Sequence, residues 1–280
     1  MQTRDQSIKS YINLANREST DLLLEGTGPR VTMALPYLSS LDIEELAKFK
    51  EIHAFSGGVY AYLVCVAEKT GFLLKPIEDY FKTLDPIVRA AHNKQNLQFL
   101  RILKRAIFKQ PLYSDTHYMD VARATFKPEF LEAKLSDLSD NISPYVGVIG
   151  SKKPVPIASV DGQSKESITV GNVITYAMRI PFLFGKPSLK APFYDANYAP
   201  AFIEMRRELI NSDRNMLALS MWNKASRGTT QFVNLVSADE KAKKVFRRDI
   251  SSVVFNRANP MFEQDLRRAY ADATIPERRG

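Results

Sequence analysis

Residues 51–67, with the sequence EIHAFSGGVYAYLVCVA, contain the feature that most constrains how this chain can fold. An apolar run ends at Phe55, and a second apolar run begins at Val59 after one serine and two glycines. The first run predicts a buried strand over residues 51–55, and the second predicts a helix over residues 59–67 packed beneath a sheet. A strand, a sharp glycine turn and a buried helix indicate an α/β fold.

Ser56 lies at the corner between the two runs. A serine on a sharp strand-to-helix turn presents its hydroxyl, and the free N–H groups of the following helix can stabilise an oxyanion. The pattern is that of the nucleophile elbow, G-x-S-x-G, with Ala54 in place of the first glycine and Gly58 as the second. Ser56 is therefore a candidate nucleophile, although Ser-Gly-Gly is also an ordinary loop sequence.

A second glycine turn precedes this unit. Residues 21–25 predict a strand that ends in the loop GTGPR, and residues 31–49 carry apolar side chains at helical spacing. The βαβ crossover that results would bring both glycine turns to one carboxyl edge of a parallel sheet. A phosphate-binding loop and a plain tight turn are the alternatives for this loop. The candidate oxyanion donors are the backbone N–H groups of Gly26, Thr27, Gly28 and Gly57.

Composition favours a globular protein with an anionic partner. The 280 residues are 45% hydrophobic, and the longest apolar run is shorter than the roughly 18 residues of a membrane span. The start of the chain has no apolar segment typical of a secretory signal, so we expect a cytoplasmic or peripheral membrane protein, with secretion by another route left open. A net charge of +8 favours anionic lipid, an acidic carrier protein or nucleic acid as partner. The single cysteine, Cys65, excludes an intramolecular disulfide and is expected in the core.

The rest of the chain predicts a single domain over residues 1–280, with a leading arm over 1–20. Asp42 and Thr169 are expected helix caps. Residues 96–110 are predicted to form a basic amphipathic helix, which suits ordinary packing, a cover over the site or a membrane surface. The other predicted elements are helices within 70–110, 129–138 and 170–179, strands over 146–149, 155–160 and 216–222, a further apolar run over 230–236, and a basic helical C-terminal extension over about 239–280.

Three stretches occur in the order found in one known family. They are residues 25–30, residues 55–58, and the sequence YDAN at 194–197, which follows AMRIPFLF at 177–184. Together they resemble the patatin-like phospholipases, in which a G-G-G-x-[RK]-G loop, a G-x-S-x-G elbow and a later D-G-[GA] aspartate build a Ser-Asp dyad site. The resemblance spans about residues 21–200.

This resemblance implies a fold and a role for each matching residue. The implied fold is an α/β three-layer sandwich with a mostly parallel central sheet. Ser56 would be the nucleophile, Asp195 the base and Arg30 a substrate- or anion-binding residue, while the glycine loop would form the oxyanion hole. The chain departs from the family pattern at Thr27, Val31, Ala54, Ala196 and Asn197.

Asp161 is a competing candidate for the base, because Asp161-Gly162 also matches the start of D-G-[GA]. It precedes residues 177–184, whereas the aspartate of the family follows that segment. Asp-Gly also favours a tight turn. Asp195 is therefore the preferred candidate.

The resemblance implies lipid degradation by hydrolysis of phospholipid or lysophospholipid esters through an acyl-enzyme. A dyad is simpler than a triad here, because His53 precedes Ser56 on the same strand and cannot reach its hydroxyl. An aspartate with its ordinary acidic pKa is a weak base, so oxyanion stabilisation is expected to supply most of the rate enhancement. The alternatives are an acyltransferase or thioesterase acting on acyl carrier protein or acyl-CoA, and a catalytically idle lipid-binding or interaction module. No cofactor, metal or nucleic acid is expected.

Overall fold

The computed structural model describes residues 17–26, 33–77, 117–181, 192–220 and 230–234. Within these ranges the chain has a mixed α/β fold built on one seven-stranded sheet, with strand order β4-β3-β2-β1-β6-β7 and β5 paired to β3. All pairs are parallel except β3 with β4 and β3 with β5. The strands are β1 (Thr20–Leu24), β2 (Ile52–Phe55), β3 (Ile142–Val148), β4 (Val155–Pro156), β5 (Phe193–Asp195), β6 (Asn215–Ser220) and β7 (Thr230–Asn234).

Eight α-helices connect and cover these strands in the described ranges. They are α1 (Leu35–Ser39), α2 (Ile43–Ala47), α3 (Gly57–Lys69), α4 (His117–Thr125), α5 (Pro128–Glu132), α6 (Leu135–Leu138), α7 (Val170–Ala177) and α8 (Phe202–Ile210). Short 3-10 helices cover Arg17–Ser19, Ile157–Ser159 and Ala196–Tyr198.

Successive side chains of a strand point to opposite faces of a sheet, and here both faces carry buried apolar side chains. On one face Leu22 and Leu24 pack with α3, which is buried from Gly57 to Ala67. On the other face Leu23 and Phe55 belong to a second cluster with Phe202 of α8. Helices therefore cover both faces of the central strands where β1 and β2 end.

Several sequence predictions are confirmed. The strand, turn and helix around Ser56 are β2 and α3, and the apolar segment after residue 215 is β6. Asp42 caps α2 in a capping box, accepting from Glu45 N at 2.7 Å, and Thr169 caps α7. Both caps satisfy backbone N–H groups that would otherwise lack partners.

Several predicted elements were wrong in extent, among them the helix predicted over 129–138, which divides into α5 and α6. The strand predicted over 155–160 stops at Pro156, whose missing N–H cannot continue a ladder, and a 3-10 helix follows. The helical spacing over 31–49 resolves into the two short helices α1 and α2, with Pro36 in the first turn of α1. The helical region predicted over 70–110 does not begin at residue 70, because Gly71, with a φ of 73°, ends α3 there.

Other predictions fall on residues that the structure does not describe. They are residues 1–16 of the leading arm, the amphipathic helix over 96–110 and the C-terminal extension over 239–280. In the described part of the chain, no helix combines the length and the apolar character that crossing a membrane requires.

Candidate active site

Ser56 adopts a strained backbone conformation between β2 and α3. Its φ of 48° and ψ of −121° make it the only non-glycine residue with positive φ among those that the structure describes. Such a conformation costs on the order of 1–3 kcal/mol and persists only where the surroundings enforce it. Here β2 is held in the sheet, and Val59 N donates to Ser56 O at 3.0 Å as α3 begins. The turn therefore has the geometry of a nucleophile elbow.

Gly58 allows the helix to start this close to the sheet. A Cβ atom at this position would lie 2.3 Å from the backbone oxygen of Leu24 on β1. A side chain there would push α3 away from the strand that precedes the glycine loop. The second glycine of the elbow is thus needed for close packing between helix and strand.

Asp195 is positioned by pairing with β3. Phe55, the last residue of β2, pairs with Tyr145, and the next residue of β3, Val146, pairs with Asp195. Since β4 occupies the opposite edge of β3 at the same two residues, β5 must continue the line of β2. Asp195 therefore faces the residue that follows Phe55, which is Ser56.

The hydroxyl of Ser56 donates to Asp195 Oδ2 at 2.5 Å. Asp195 is only 1% exposed, and its other oxygen, Oδ1, accepts from Asn197 N at 2.9 Å. Its own N–H donates to Arg179 O at 2.8 Å, which fixes the backbone after α7. The carboxylate is thus held by two neutral donors, one of which is the candidate nucleophile.

Burial raises the pKa of Asp195 to about 7, although the hydrogen bonds from Ser56 and from the Asn197 N–H lower it in part. The expectation of an ordinary acidic aspartate was therefore wrong. The physical reason is desolvation, which penalises the charged carboxylate and which the sequence around Asp195 does not reveal. A carboxylate with a pKa near neutrality accepts a proton from a hydroxyl more readily than an ordinary aspartate does.

Gly26 lies beside the nucleophile at the end of β1. A Cβ atom built on it would lie 3.0 Å from Ser56 Cβ and 2.0 Å from Asn197 Nδ2. A side chain at this position would force the Asn197 carboxamide to move and would press against Ser56. The first residue of the predicted oxyanion loop therefore meets both the elbow and the segment that follows Asp195.

Gly57 directly follows Ser56 and is the first residue of α3. Its N–H belongs to the helix N-terminus, where free amides and the helix dipole favour negative charge. The other predicted members of the oxyanion and anion-binding loop, Thr27, Gly28 and Arg30, lie outside the described residues.

The backbone just before Gly26 is anchored by a buried polar cluster that the sequence did not indicate. Glu25 is buried and accepts from Arg206 Nε on α8 and from Ser220 Oγ at the end of β6. Burial raises the pKa of Glu25, and the ion pair with Arg206 lowers it in part. Because 181 and 195 residues separate the partners, no local sequence pattern could have revealed the cluster.

Asp161 and the histidines lie elsewhere. Asp161 is exposed in a turn after the 3-10 helix at Ile157–Ser159. His53 is buried, with Nδ1 3.2 Å from Tyr145 Oη, and His117 is the first residue of α4. The third histidine, His92, lies outside the described residues. In the described part of the chain, the partner of the Ser56 hydroxyl is Asp195.

No protein-family model, curated protein or solved structure matches this chain. The resemblance to the patatin-like phospholipases is therefore carried by the motifs alone. The geometry stands independently of it: a serine hydroxyl, a buried carboxylate with a pKa near 7 and a helix N-terminus meet at the carboxyl end of a parallel sheet.

Proposed function

We propose that this chain is a serine acyl hydrolase with a patatin-like three-layer sandwich fold, which cleaves ester bonds of phospholipids or lysophospholipids. The hydrogen bond of 2.5 Å between Ser56 Oγ and Asp195 Oδ2 is the observation that carries the proposal. The strained backbone of Ser56 and the helix that begins at Gly57 support it, because both are features of a nucleophile elbow.

Acylation begins when Ser56 Oγ attacks the ester carbonyl and its proton passes to Asp195 Oδ2. The carbonyl oxygen becomes an oxyanion, which the N–H of Gly57 and the loop from Gly26 through Thr27 and Gly28 stabilise. When the intermediate collapses, Asp195 returns the proton to the departing alcohol oxygen. The products of this step are the alcohol and an acyl-enzyme on Ser56.

Deacylation repeats these roles with water. Asp195 accepts a proton from a water molecule, the hydroxide attacks the acyl carbonyl, and the new intermediate collapses with return of that proton to Ser56 Oγ. The products are a carboxylic acid and free enzyme. Asp195 must be ionised when acylation begins, so its pKa near 7 in the free chain sets the lower pH limit of kcat/KM.

A lipid substrate at an anionic interface is supported by charge and by exposed apolar side chains. The chain carries a net charge of +8, which attracts anionic head groups. Tyr198 and Ile203, on the segment that directly follows Asp195, are 41% and 58% exposed. Arg30, in the loop that follows Gly26, supplies a cation for a phosphate group.

The experiment is fluorophosphonate labelling of the full chain, followed by mass spectrometry of the modified peptide. We expect one adduct on Ser56, none in Ser56→Ala, and full labelling in Ser159→Ala, a matched change of an exposed serine. Absence of any adduct would refute the hydrolase and favour an idle lipid-binding module.

Product analysis on phospholipid, lysophospholipid and acyl-thioester then identifies the substrate, and release of acyl product from thioester alone would refute the phospholipase assignment.

A further inference from the structure

A second cluster of chemically active side chains lies toward the amino ends of the same central strands. Asp21 of β1, His53 of β2 and Glu51, the residue just before β2, each offer one ligand atom, and these atoms all lie within 4.8 Å of one another. Asp21 and His53 are 1% and 2% exposed, and Glu51 is 31% exposed. The cluster is buried at one end and open to solvent at the other.

His53 has a ring nitrogen without a partner. Its Nδ1 lies 3.2 Å from Tyr145 Oη, but in the described part of the chain the buried Nε2 has no hydrogen-bond partner. Nε2 lies 3.5 Å from Asp21 Oδ2, and the buried Asp21 Oδ1 likewise has no hydrogen bond to any described residue. When Nδ1–H donates to the tyrosine, the lone pair of Nε2 faces a carboxylate, a contact that is favourable only with a cation between them.

The two carboxylates of the cluster already attract a cation from the surface. Arg214 Nη1 lies 3.1 Å from Asp21 Oδ2 and 3.2 Å from Glu51 Oε2. The Arg214 side chain is 49% exposed, so it can leave toward solvent without breaking core packing. The other oxygen of Glu51 accepts from Ser143 Oγ at 2.9 Å, which orients this carboxylate.

We propose that Asp21, Glu51 and His53 bind a divalent transition-metal ion of the zinc class, which takes the place of the Arg214 guanidinium. Two ligands at about 2.1 Å from a tetrahedral ion are about 3.4 Å apart, and Nε2 of His53 already lies 3.5 Å from Asp21 Oδ2. One imidazole with two carboxylates favours zinc over magnesium or calcium, which prefer oxygen ligands alone.

Tyr145 completes the arrangement that metal-binding histidines usually have. Such a histidine donates its second N–H to an oxygen, which fixes the tautomer and the ring orientation. In the tautomer with the proton on Nδ1, the Tyr145 hydroxyl accepts from Nδ1 at 3.2 Å, and Nε2 is left for the metal. The Tyr145 ring also stacks on Phe55 at a centroid distance of 4.6 Å, so it is held independently of the histidine.

This metal ion would stabilise the fold and take no part in the proposed reaction. His53 precedes Ser56 by three residues on β2, which corresponds to about 10 Å along a strand. The ion would join the starts of β1 and β2, the two strands that lead to Gly26 and Ser56. The inference therefore stands whether or not the chain is a hydrolase.

Isothermal titration of the chelator-treated full chain with zinc chloride tests the proposal, together with melting temperature as a function of zinc. We expect one saturable zinc site at micromolar zinc, a melting temperature that rises with zinc, and no comparable shift with magnesium. His53→Gln removes the site, whereas His117→Gln, the matched histidine change outside the cluster, leaves it intact. If His53→Gln does not fold, Glu51→Gln at the half-exposed end of the cluster provides the same test.

Two further variants separate a metal site from a purely structural ion-pair cluster. Arg214→Gln should bind zinc at least as tightly as the unmodified chain, because the competing guanidinium is gone. Tyr145→Phe should weaken zinc binding about 10- to 100-fold, the usual effect of removing an outer hydrogen-bond partner. Absence of a saturable site in both the unmodified chain and Arg214→Gln would overturn the proposal, and so would equal zinc binding by His53→Gln.

Discussion

Asp195, near the carboxyl ends of β1 and β2, and Asp21, near their amino ends, are both buried carboxylates, but their partners differ. At the carboxyl end, the donors to Asp195 in the described part of the chain are the neutral Ser56 hydroxyl and Asn197 N–H, and burial raises its pKa to about 7. At the amino end, Asp21 lies against the Arg214 guanidinium. A buried carboxylate can be stabilised by a proton or by a cation, and only the proton leaves a group that can accept and return protons near neutral pH.

The largest effect is expected for Asp195→Asn, which removes the proton acceptor and so tests the difference between Asp195 and Asp21 directly. We expect turnover to fall by about 10²- to 10⁴-fold, the usual contribution of a positioned general base. The free energy of unfolding at pH 8 should rise by about 4 kcal/mol, because burial raises the pKa of Asp195 to about 7, roughly three units at about 1.4 kcal/mol each, and the variant buries no charge. Esterase assays with chemical denaturation check both. Asp161→Asn, in an exposed turn, is the control and should leave activity unchanged.

A second test concerns the space beside the nucleophile. Gly26→Ala would place a methyl group 2.0 Å from Asn197 Nδ2 and 3.0 Å from Ser56 Cβ. Displacing one oxyanion donor typically costs about 3–4 kcal/mol of barrier, so we expect kcat to fall by roughly 10²- to 10³-fold.

The double variant Gly26→Ala with Asn197→Ala tells steric displacement from a direct role of Asn197. If the clash with the carboxamide causes the loss, the double variant recovers part of the activity of the single glycine variant. Additive losses would show that the two residues act separately.

A third test extends the comparison to Glu25, the other buried carboxylate near the carboxyl end, which has a cation as partner. Arg206→Ala leaves Glu25 buried without its ion pair, and we expect a loss of about 3–5 kcal/mol in the free energy of unfolding. Adding Glu25→Gln should restore much of that stability, since no charge then remains buried. The control is Lys153→Ala, which breaks an exposed ion pair with Glu208 and should change stability little.

The smallest expected effect is the change of kcat/KM and of the free energy of unfolding with pH, which is also the most specific test of Asp195. The proposed base must be ionised, so kcat/KM should fall about tenfold per pH unit below a pKa of about 7. Stability should change in the opposite sense: the folded pKa is above the unfolded value, so the stabilising contribution of protonated Asp195 is lost as pH rises through about 7. Both trends should disappear in Asp195→Asn. A flat rate profile between pH 5 and 8 would contradict the assignment of Asp195 as base.

The sequence predicted those parts of the site whose residues are neighbours along the chain. The strand, elbow and helix around Ser56 follow from apolar runs broken by two glycines, which the structure reproduces as β2 and α3. Asp195 follows only from the order of motifs along the chain, which resembles that of a known family, and neither spacing nor composition indicates it.

Features built from distant residues could not be predicted. The cluster of Glu25, Arg206 and Ser220 joins three separate elements, and the group of Asp21, Glu51 and His53 spans two strands that become neighbours only in the sheet. The sequence predicts no metal site, because it contains no local spacing of ligand residues typical of one. The pKa of Asp195 likewise depends on burial, which is a property of the packed sheet.

The pairing of β3 with both β2 and β5 has a consequence for how this chain can vary. β3 contributes neither the Ser56 hydroxyl nor the Asp195 carboxylate, but its pairing with β2 and with β5 sets the distance between them. One residue inserted between Tyr145 and Val146 would move the base a full step along the sheet and out of reach.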